Sequence, residues 1–259
     1  MEISLKDKVI VITGGTKGLG RAVAEASIEA GGRVVISGRE SSEGEEFVKF
    51  AKDKYDSKAV FVKGDLKEVG NCQKLISSAI DNFGRIDGLV NYAGITTPSK
   101  ITETSEQVFD DVFNINFKAA FFCSEYAVKE MIKNGGSLVH VSSTHAYGGA
   151  ITRSAYGCSK GAMLVLSKHI AKNYAKCQIR SNAIIMGWSA TPNELVLYES
   201  WGKNKDELND LGKELVPMGR LQVNEDFVPG ILYLLSDHSS HLTDTEFCIS
   251  GGLWPSYGE

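Results

Sequence analysis

The chain has 259 residues, of which 42% are apolar and 23% charged, and its formal net charge is −4. That length suits a single α/β domain, and that composition suits a soluble protein with a substantial core. No Lys/Arg-rich run, no apolar run near the ~18 residues of a membrane span and no signal-peptide layout at Met1–Lys8 can be found, so nucleic acid and membrane are excluded as expected partners and a cytoplasmic location is expected.

Val9 to Ile12 is a short apolar, β-branched run and predicts a buried strand. It leads into Thr13-Gly14-Gly15-Thr16-Lys17-Gly18-Leu19-Gly20, and Arg21 to Ala30 then has a helical composition stopped by Gly31-Gly32. Arg33 to Ser37 is a second strand. In such a unit the glycines let the backbone approach a pyrophosphate seated on the helix start; the alternative is a tight turn with no ligand. The tip of the second strand separates the two nicotinamide dinucleotides. An NAD site usually places an acid there, roughly 20 residues past the glycines. Here the place reads Ser37-Gly38-Arg39, and Arg39 can hold a phosphate bidentately, with Lys17 as a second cation. NADP(H) is therefore expected over NAD(H), the competing reading being a solvated Arg39 with Glu40 on the ribose.

Ser41 to Tyr55 predicts a polar amphipathic helix and Ala59 to Val62 a third strand, followed by Asp65, which either meets an adenine or caps a helix. Val69 to Phe83 is helical and ends at Gly84. Ile86 to Val90 is strand four, followed by Asn91-Tyr92-Ala93-Gly94. Ser105 caps one long helix reaching about Ile132 and carrying Asn114 and Asn116. Ser137 to Val141 is strand five and delivers Ser142-Ser143. A helix holding Tyr156 and Lys160 runs to about Lys176, and Ile179 to Ile185 is strand six. Gly187 to about Leu215 is polar and loop-like with helical patches. Asn224 to Leu235 is a last helix and Glu246 to Ile249 a last strand. Strands and helices alternate throughout, which predicts a Rossmann-type, doubly wound parallel sheet of about seven strands with helices on both faces. No linker or repeat divides the chain, so residues 1–259 read as one dinucleotide-binding and catalytic domain with a substrate-loop insert at about 188–217. Ligands in such a sheet lie beyond the C-terminal strand ends, where the glycine turn, Arg39, Asp65, Asn91 and Ser143 all fall.

Ser143, Tyr156 and Lys160 could act together on a proton. Tyr156 and Lys160 are four apart and share a helix face. A fixed ammonium favours the phenolate and lowers a phenol's pKa from its usual ~10. The tyrosine then becomes an acid/base group at neutral pH. A serine hydroxyl beside it could hold the reacting oxygen. The five cysteines (Cys72, Cys123, Cys158, Cys177 and Cys248) are scattered without metal-type spacing, so reduced thiols and no metal are expected.

The ordered set of motifs resembles the short-chain dehydrogenase/reductase family from Val9 to about Gly252. It comprises the Thr13–Gly20 turn, Asp65-Leu66, Asn91-Tyr92-Ala93-Gly94, Ser143 and Tyr156-x-x-x-Lys160. The resemblance implies a nicotinamide-dependent interconversion of a ketone and a secondary alcohol. It assigns catalysis to Asn116, Ser143, Tyr156 and Lys160. Cofactor binding falls to Thr13, Gly14, Thr16, Lys17, Gly18, Leu19, Gly20, Ser37, Arg39, Asp65, Leu66, Asn91, Ala93, Gly94, Tyr156, Lys160, Gly187 and Thr191. The departures are Tyr92 for a second asparagine, Met186 before Gly187, Ser181-Asn182 in strand six and Ser250 before the last glycine pair. The substrate is expected to meet Ser143, Tyr156, His145 and Trp188, with Tyr147, Leu195, Leu197, Tyr198 and Trp201 as further walls; His145 reads as a wall residue rather than a second base. Such walls suit a mid-sized cyclic or hydrophobic substrate of terpenoid or steroid size. A sugar or polyol dehydrogenase and a 3-oxoacyl reductase stay open, as does a non-enzymatic, dinucleotide-sensing regulator. The resemblance also implies a homotetramer or homodimer. The apolar run Ala162–Leu166 fits burial against another subunit or within the core.

Overall fold

The computed structural model describes residues 2–189, 192–200, 202 and 204–253. β1 (Val9–Ile12) is wholly buried, and its side chains alternate between two cores. Ile10 and Ile12 pack on one side of the sheet, Val9 and Val11 on the other. A strand apolar on both faces requires helices on both faces, and the chain supplies them. The order continues through α1 (Gly18–Glu29), β2 (Arg33–Gly38), α2 (Ser41–Tyr55), β3 (Ala59–Lys63), α3 (Val69–Phe83), β4 (Gly88–Asn91), α4 (Glu106–Phe113) and α5 (Ala119–Met131). It closes with β5 (Gly136–Ser143), α6 (Ser154–Tyr174), β6 (Ile179–Met186), α7 (Pro192–Ser200), α8 (Lys205–Leu215), α9 (Asn224–Leu235) and β7 (Glu246–Ile249).

The seven strands form one sheet in the order β3-β2-β1-β4-β5-β6-β7, and every pairing is parallel. The chain winds outward from β1 to β3, then returns and winds the other way from β4. The C-terminal ends of β1 and β4 therefore diverge above a crevice at this switch point. Leu19, Val23, Phe227 and Ile231 of α1 and α9 pack into one core, and Leu75, Ile76, Cys123 and Ala127 of α3 and α5 into the other. Each fully buried Leu, Ile or Phe of this kind contributes roughly 1.5–3 kcal/mol.

Four elements differ from their sequence reading. The long helix after Ser105 is not continuous: a π turn at Asn114–Lys118 separates α4 from α5. It widens the helix where Asn116, fully buried, reaches inward to the main chain of Ile95. β4 starts later than expected, at Gly88, because the Asp87 carboxylate is engaged by Arg85 and by the Val9 amide. β5 runs on to Ser143, which pairs in register with Met186, so the serine sits on a rigid strand end and not in a loop. The segment expected to be mainly loop folds as α7 and α8. Asn204 caps α8 in a reciprocal box with Glu207, a signal that was present in the sequence as Asn204-x-x-Glu207. α8 closes a small satellite core of Leu208, Val216 and Leu221. Ser105 caps α4 as expected, its Oγ accepting from the Val108 amide at 3.3 Å. No helix among the described residues is long and apolar enough to cross a membrane.

Candidate active site

One cleft of about 710 Å³ runs along the C-terminal strand ends, from the glycine turn to α7. Its floor at one end is the β1–α1 turn. Gly14 and Gly18 hold positive φ angles of 67° and 53°, which side-chain-bearing residues rarely adopt. A Cβ on Gly14 would stand 3.2 Å from the Ala93 Cα, so the turn lies against the segment after β4. Thr13 fastens the two together: its Oγ1 accepts from the Tyr92 and Ala93 amides at 2.9 and 3.0 Å. The Ser37 hydroxyl takes the Gly14 amide at 3.2 Å. A bare backbone cradle at a helix start is what an extended phosphate ligand needs, and these residues fit a dinucleotide.

Of the expected cofactor residues, Gly14, Thr16, Lys17, Gly18, Ser37 and Arg39 line this end of the cleft. Asp65, Leu66, Ala93 and Gly94 line its middle, and Tyr156, Lys160 and Gly187 its far end. Four others lie underneath. The Thr13 side chain is spent on the fastening just described. Leu19 is buried in the core, and Gly20 makes room for the Gly14 carbonyl and the Tyr92 ring. Asn91 turns away from the cleft: its Nδ2 donates to Ser124 Oγ at 2.9 Å and lies 3.3 Å from the His140 ring. Its place in β4, with side chains alternating between faces, decides this. Thr191 and Trp201 lie outside the described residues, as does the Leu197 side chain.

The cations at the β2 tip are not equivalent. Lys17 pairs with Glu43 at 2.5 Å, whereas no carboxylate among the described residues pairs with the exposed Arg39. Asp65 accepts from the Lys67 amide at 3.0 Å, so it braces its own turn while facing the cleft.

At the other end Ser143, Tyr156 and Lys160 converge. Ser143, at the end of β5, is buried and its Oγ accepts from the His145 amide. Lys160 is 4% exposed, and its ammonium donates to the Val141 carbonyl at 2.7 Å while lying 5.7 Å from the Tyr156 ring centroid. Burial pushes this lysine down from 10.5 to about 8. α6 is pinned to the π turn: Asn116 Nδ2 donates to Ser159 Oγ at 3.0 Å, and Ser159 donates to the Tyr156 carbonyl at 2.7 Å. The Asn116 side chain is thus fully engaged with Ser159 and Ile95. Gly94 lies against both it and Lys160; a Cβ there would lie 3.0 Å from Asn116 Oδ1 and 3.7 Å from Lys160 Nζ.

The His145 ring meets Tyr156 edge-on at 5.8 Å, and burial, then the charge of Arg153, lowers its pKa to about 4. The ring is therefore neutral at pH 7. Trp188 and Tyr198 also line the cleft. Tyr147 instead donates its hydroxyl to Glu246, and Leu195 packs against the satellite core. The sequence does not single out Arg153 and Glu194. They form an ion pair at 3.5 Å with side chains only 11% and 14% exposed; Arg153 also donates to the Thr96 carbonyl, and Glu194 accepts from the Trp188 indole at 3.1 Å. Arg153 lies three residues before Tyr156, but Glu194 is 41 positions away from it and no local pattern links them. No group of three metal-ligating side chains occurs among the described residues.

A family model described as short chain dehydrogenase matches residues 8–199. The chain is 33% identical over 248 residues to dehydrogenase/reductase SDR family member 4 of Caenorhabditis elegans, covering 95% of each chain. It is 32% identical over 254 residues to an NADP-dependent (R)-specific alcohol dehydrogenase of Lentilactobacillus kefiri, covering 96% of this chain and 97% of that one. In fold it is similar to the L-sorbose reductase of Gluconobacter frateurii, with a TM-score of 0.94 over 99% of this chain and all of that one, at 24% identity.

Proposed function

The chain belongs to the short-chain dehydrogenase/reductase family, and from that premise we propose that it interconverts a ketone and a secondary alcohol with NADP(H). The observation that carries this reading is the placement of Lys160, held by Val141 over the Tyr156 ring in the cleft that also contains Ser143 and the glycine turn. When bound, the nicotinamide supplies or accepts the hydride. Gly14 and Gly18 would cradle the dinucleotide's pyrophosphate, and Arg39 would hold the 2′-phosphate, with Lys17 shared between that phosphate and Glu43. The similarity to an NADP-dependent relative supports the same choice.

Tyr156 gives its hydroxyl proton to the carbonyl oxygen during reduction and takes it back during oxidation. Lys160 stays largely protonated at pH 7, and its charge favours the phenolate left behind. Ser143 donates to the same substrate oxygen and stabilises the charge that develops there. Asn116 links Lys160 to solvent through water from its main-chain carbonyl, because its side chain is already committed to Ile95 and Ser159. The enzyme reading is favoured over a dinucleotide-sensing regulator because all four of these groups are in place. The protein works as a cytoplasmic homotetramer or homodimer.

Trp188, Tyr198, Met186, Leu215 and Leu253 give the substrate end bulky apolar walls, which supports a mid-sized cyclic or hydrophobic ketone. The Arg153–Glu194 pair favours a second reading. A half-buried donor and acceptor side by side suit a substrate bearing hydroxyls, such as a sugar or polyol. NADPH consumption against a panel of terpenoid, steroid, ketose and 3-oxoacyl substrates decides between them. Replacing Tyr156 with Phe on the best substrate tests the chemistry: turnover is expected to fall at least ~100-fold, the usual worth of a general acid. Turnover within a few-fold of the unmodified protein would overturn the assignment.

A further inference from the structure

The segment after β4 carries Tyr92 where the family resemblance leads one to expect a second asparagine. Its main chain is fixed, since its amide and that of Ala93 both donate to Thr13. Its ring then has one place to go, beneath the glycine turn. A Cβ on Gly20 would lie 2.8 Å from Tyr92 Cδ1, and a Cβ on Gly18 would lie 3.4 Å from the phenol oxygen. The Leu19 amide lies beside the phenol oxygen and partly offsets the effect of burial on it. Leu19 is the second residue of α1, so this amide is one of those a helix leaves unpaired at its start. α1 has no side-chain cap from Lys17 and no acid in its first turn, and the Tyr92 ring stands against this end.

A phenol hydroxyl beside a backbone amide still has its own proton to give. Burial raises this phenol above its ordinary value, so the proton stays on it at neutral pH. Tyr92 borders the cleft, and its hydroxyl stands beside Gly18, at the place where the backbone cradle opens. We infer that Tyr92 is a further cofactor-binding residue, whose phenol donates its proton to a pyrophosphate oxygen of the dinucleotide. This rests on the dinucleotide reading above and adds to it a side-chain donor at a cradle otherwise made of backbone.

The test is the dissociation constant of two ligands, measured by nucleotide fluorescence or by its competition, for the unmodified protein and for Tyr92→Phe. The phenylalanine keeps the ring packed on Gly18 and Gly20 and removes only the hydroxyl. NADPH carries the pyrophosphate; adenosine 2′-monophosphate binds the same adenine end without one. Tyr92→Phe is expected to weaken NADPH about ten- to a hundredfold, the worth of a hydrogen bond to a charged acceptor, and to leave adenosine 2′-monophosphate within twofold. Unchanged or tighter NADPH binding overturns the inference, because the phenol would then be a bystander or a competitor for the Leu19 amide. Equal weakening of both ligands also overturns it, pointing to a loosened turn. If the unmodified protein binds neither NADPH nor NADH, the dinucleotide reading itself fails.

Discussion

Replacing Lys160 with methionine should stabilise the ligand-free protein while abolishing turnover. Lys160 is 4% exposed, and its ammonium is compensated by the Val141 carbonyl, by a weak contact to the Met163 sulfur and by the face of the Tyr156 ring. The drop from 10.5 to about 8 reflects the desolvation of that charge; at ~1.4 kcal/mol per pH unit it corresponds to about 3 kcal/mol. Methionine has a similar length and no charge. It leaves the Val141 carbonyl without its donor, at a cost of about 1 kcal/mol. The net gain at pH 7 is about 2 kcal/mol, or a melting temperature higher by about 4–8 °C in a domain of this size. The sign with pH follows from linkage. The folded pKa lies below the unfolded one, so between about pH 8 and 10.5 the unfolded chain binds more protons and the unmodified protein gains stability as pH rises. The advantage of Lys160→Met is therefore full below pH 8, shrinks as pH rises, and turns into a deficit of about 1 kcal/mol by about pH 10.5. Thermal denaturation of both proteins from pH 7 to 10.5, with turnover measured in parallel, provides the check. A variant no more stable than the parent at pH 7, or a gap that does not shrink with pH, would refute the reasoning. A charge held against its own solvation in this way is the trade that the proposed role of Lys160 entails.

Two further outcomes follow from the geometry. Arg39→Asp removes the cation without an acidic partner at the β2 tip and places a carboxylate against a 2′-phosphate; the ratio of kcat/KM for NADPH over NADH should fall by about tenfold or more, and a clear preference for NADH before mutation would contradict the cofactor reading. Ser105→Ala should cost about 1 kcal/mol in a denaturant titration by uncapping α4. Ser105 lies outside the cleft, so dinucleotide binding should not change.

Most of the fold was readable because it is encoded locally. The doubly apolar run at Val9–Ile12, the glycine turn and the alternation of strand and helix patterns each reflect short-range physics: side-chain period, backbone freedom and burial. The parallel order and the switch point then follow from how such units pack. The π turn at Asn114–Lys118 was not readable, because it depends on Asn116 bonding to Ile95, a partner 21 residues away. The helices of 192–215 were under-read because their apolar residues serve only a small satellite core, which leaves a faint pattern despite the Asn204 cap.

The site divides in the same way. Sequence alone determined which groups are available for chemistry, since Ser143, Tyr156 and Lys160 sit on two neighbouring elements with fixed spacing. It also located the glycine turn proposed above to hold the pyrophosphate, and the structure gives Gly14 and Gly18 the positive φ angles that only glycine adopts readily. Tertiary structure alone decided the environment of those groups. It buried Lys160 and lowered its pKa, turned Asn91 into the core, set Arg153 against Glu194 across 41 positions, and laid the Tyr92 ring under the glycine turn. Desolvation and pairing between distant segments depend on what surrounds a side chain, and a residue's neighbours in the chain do not record that.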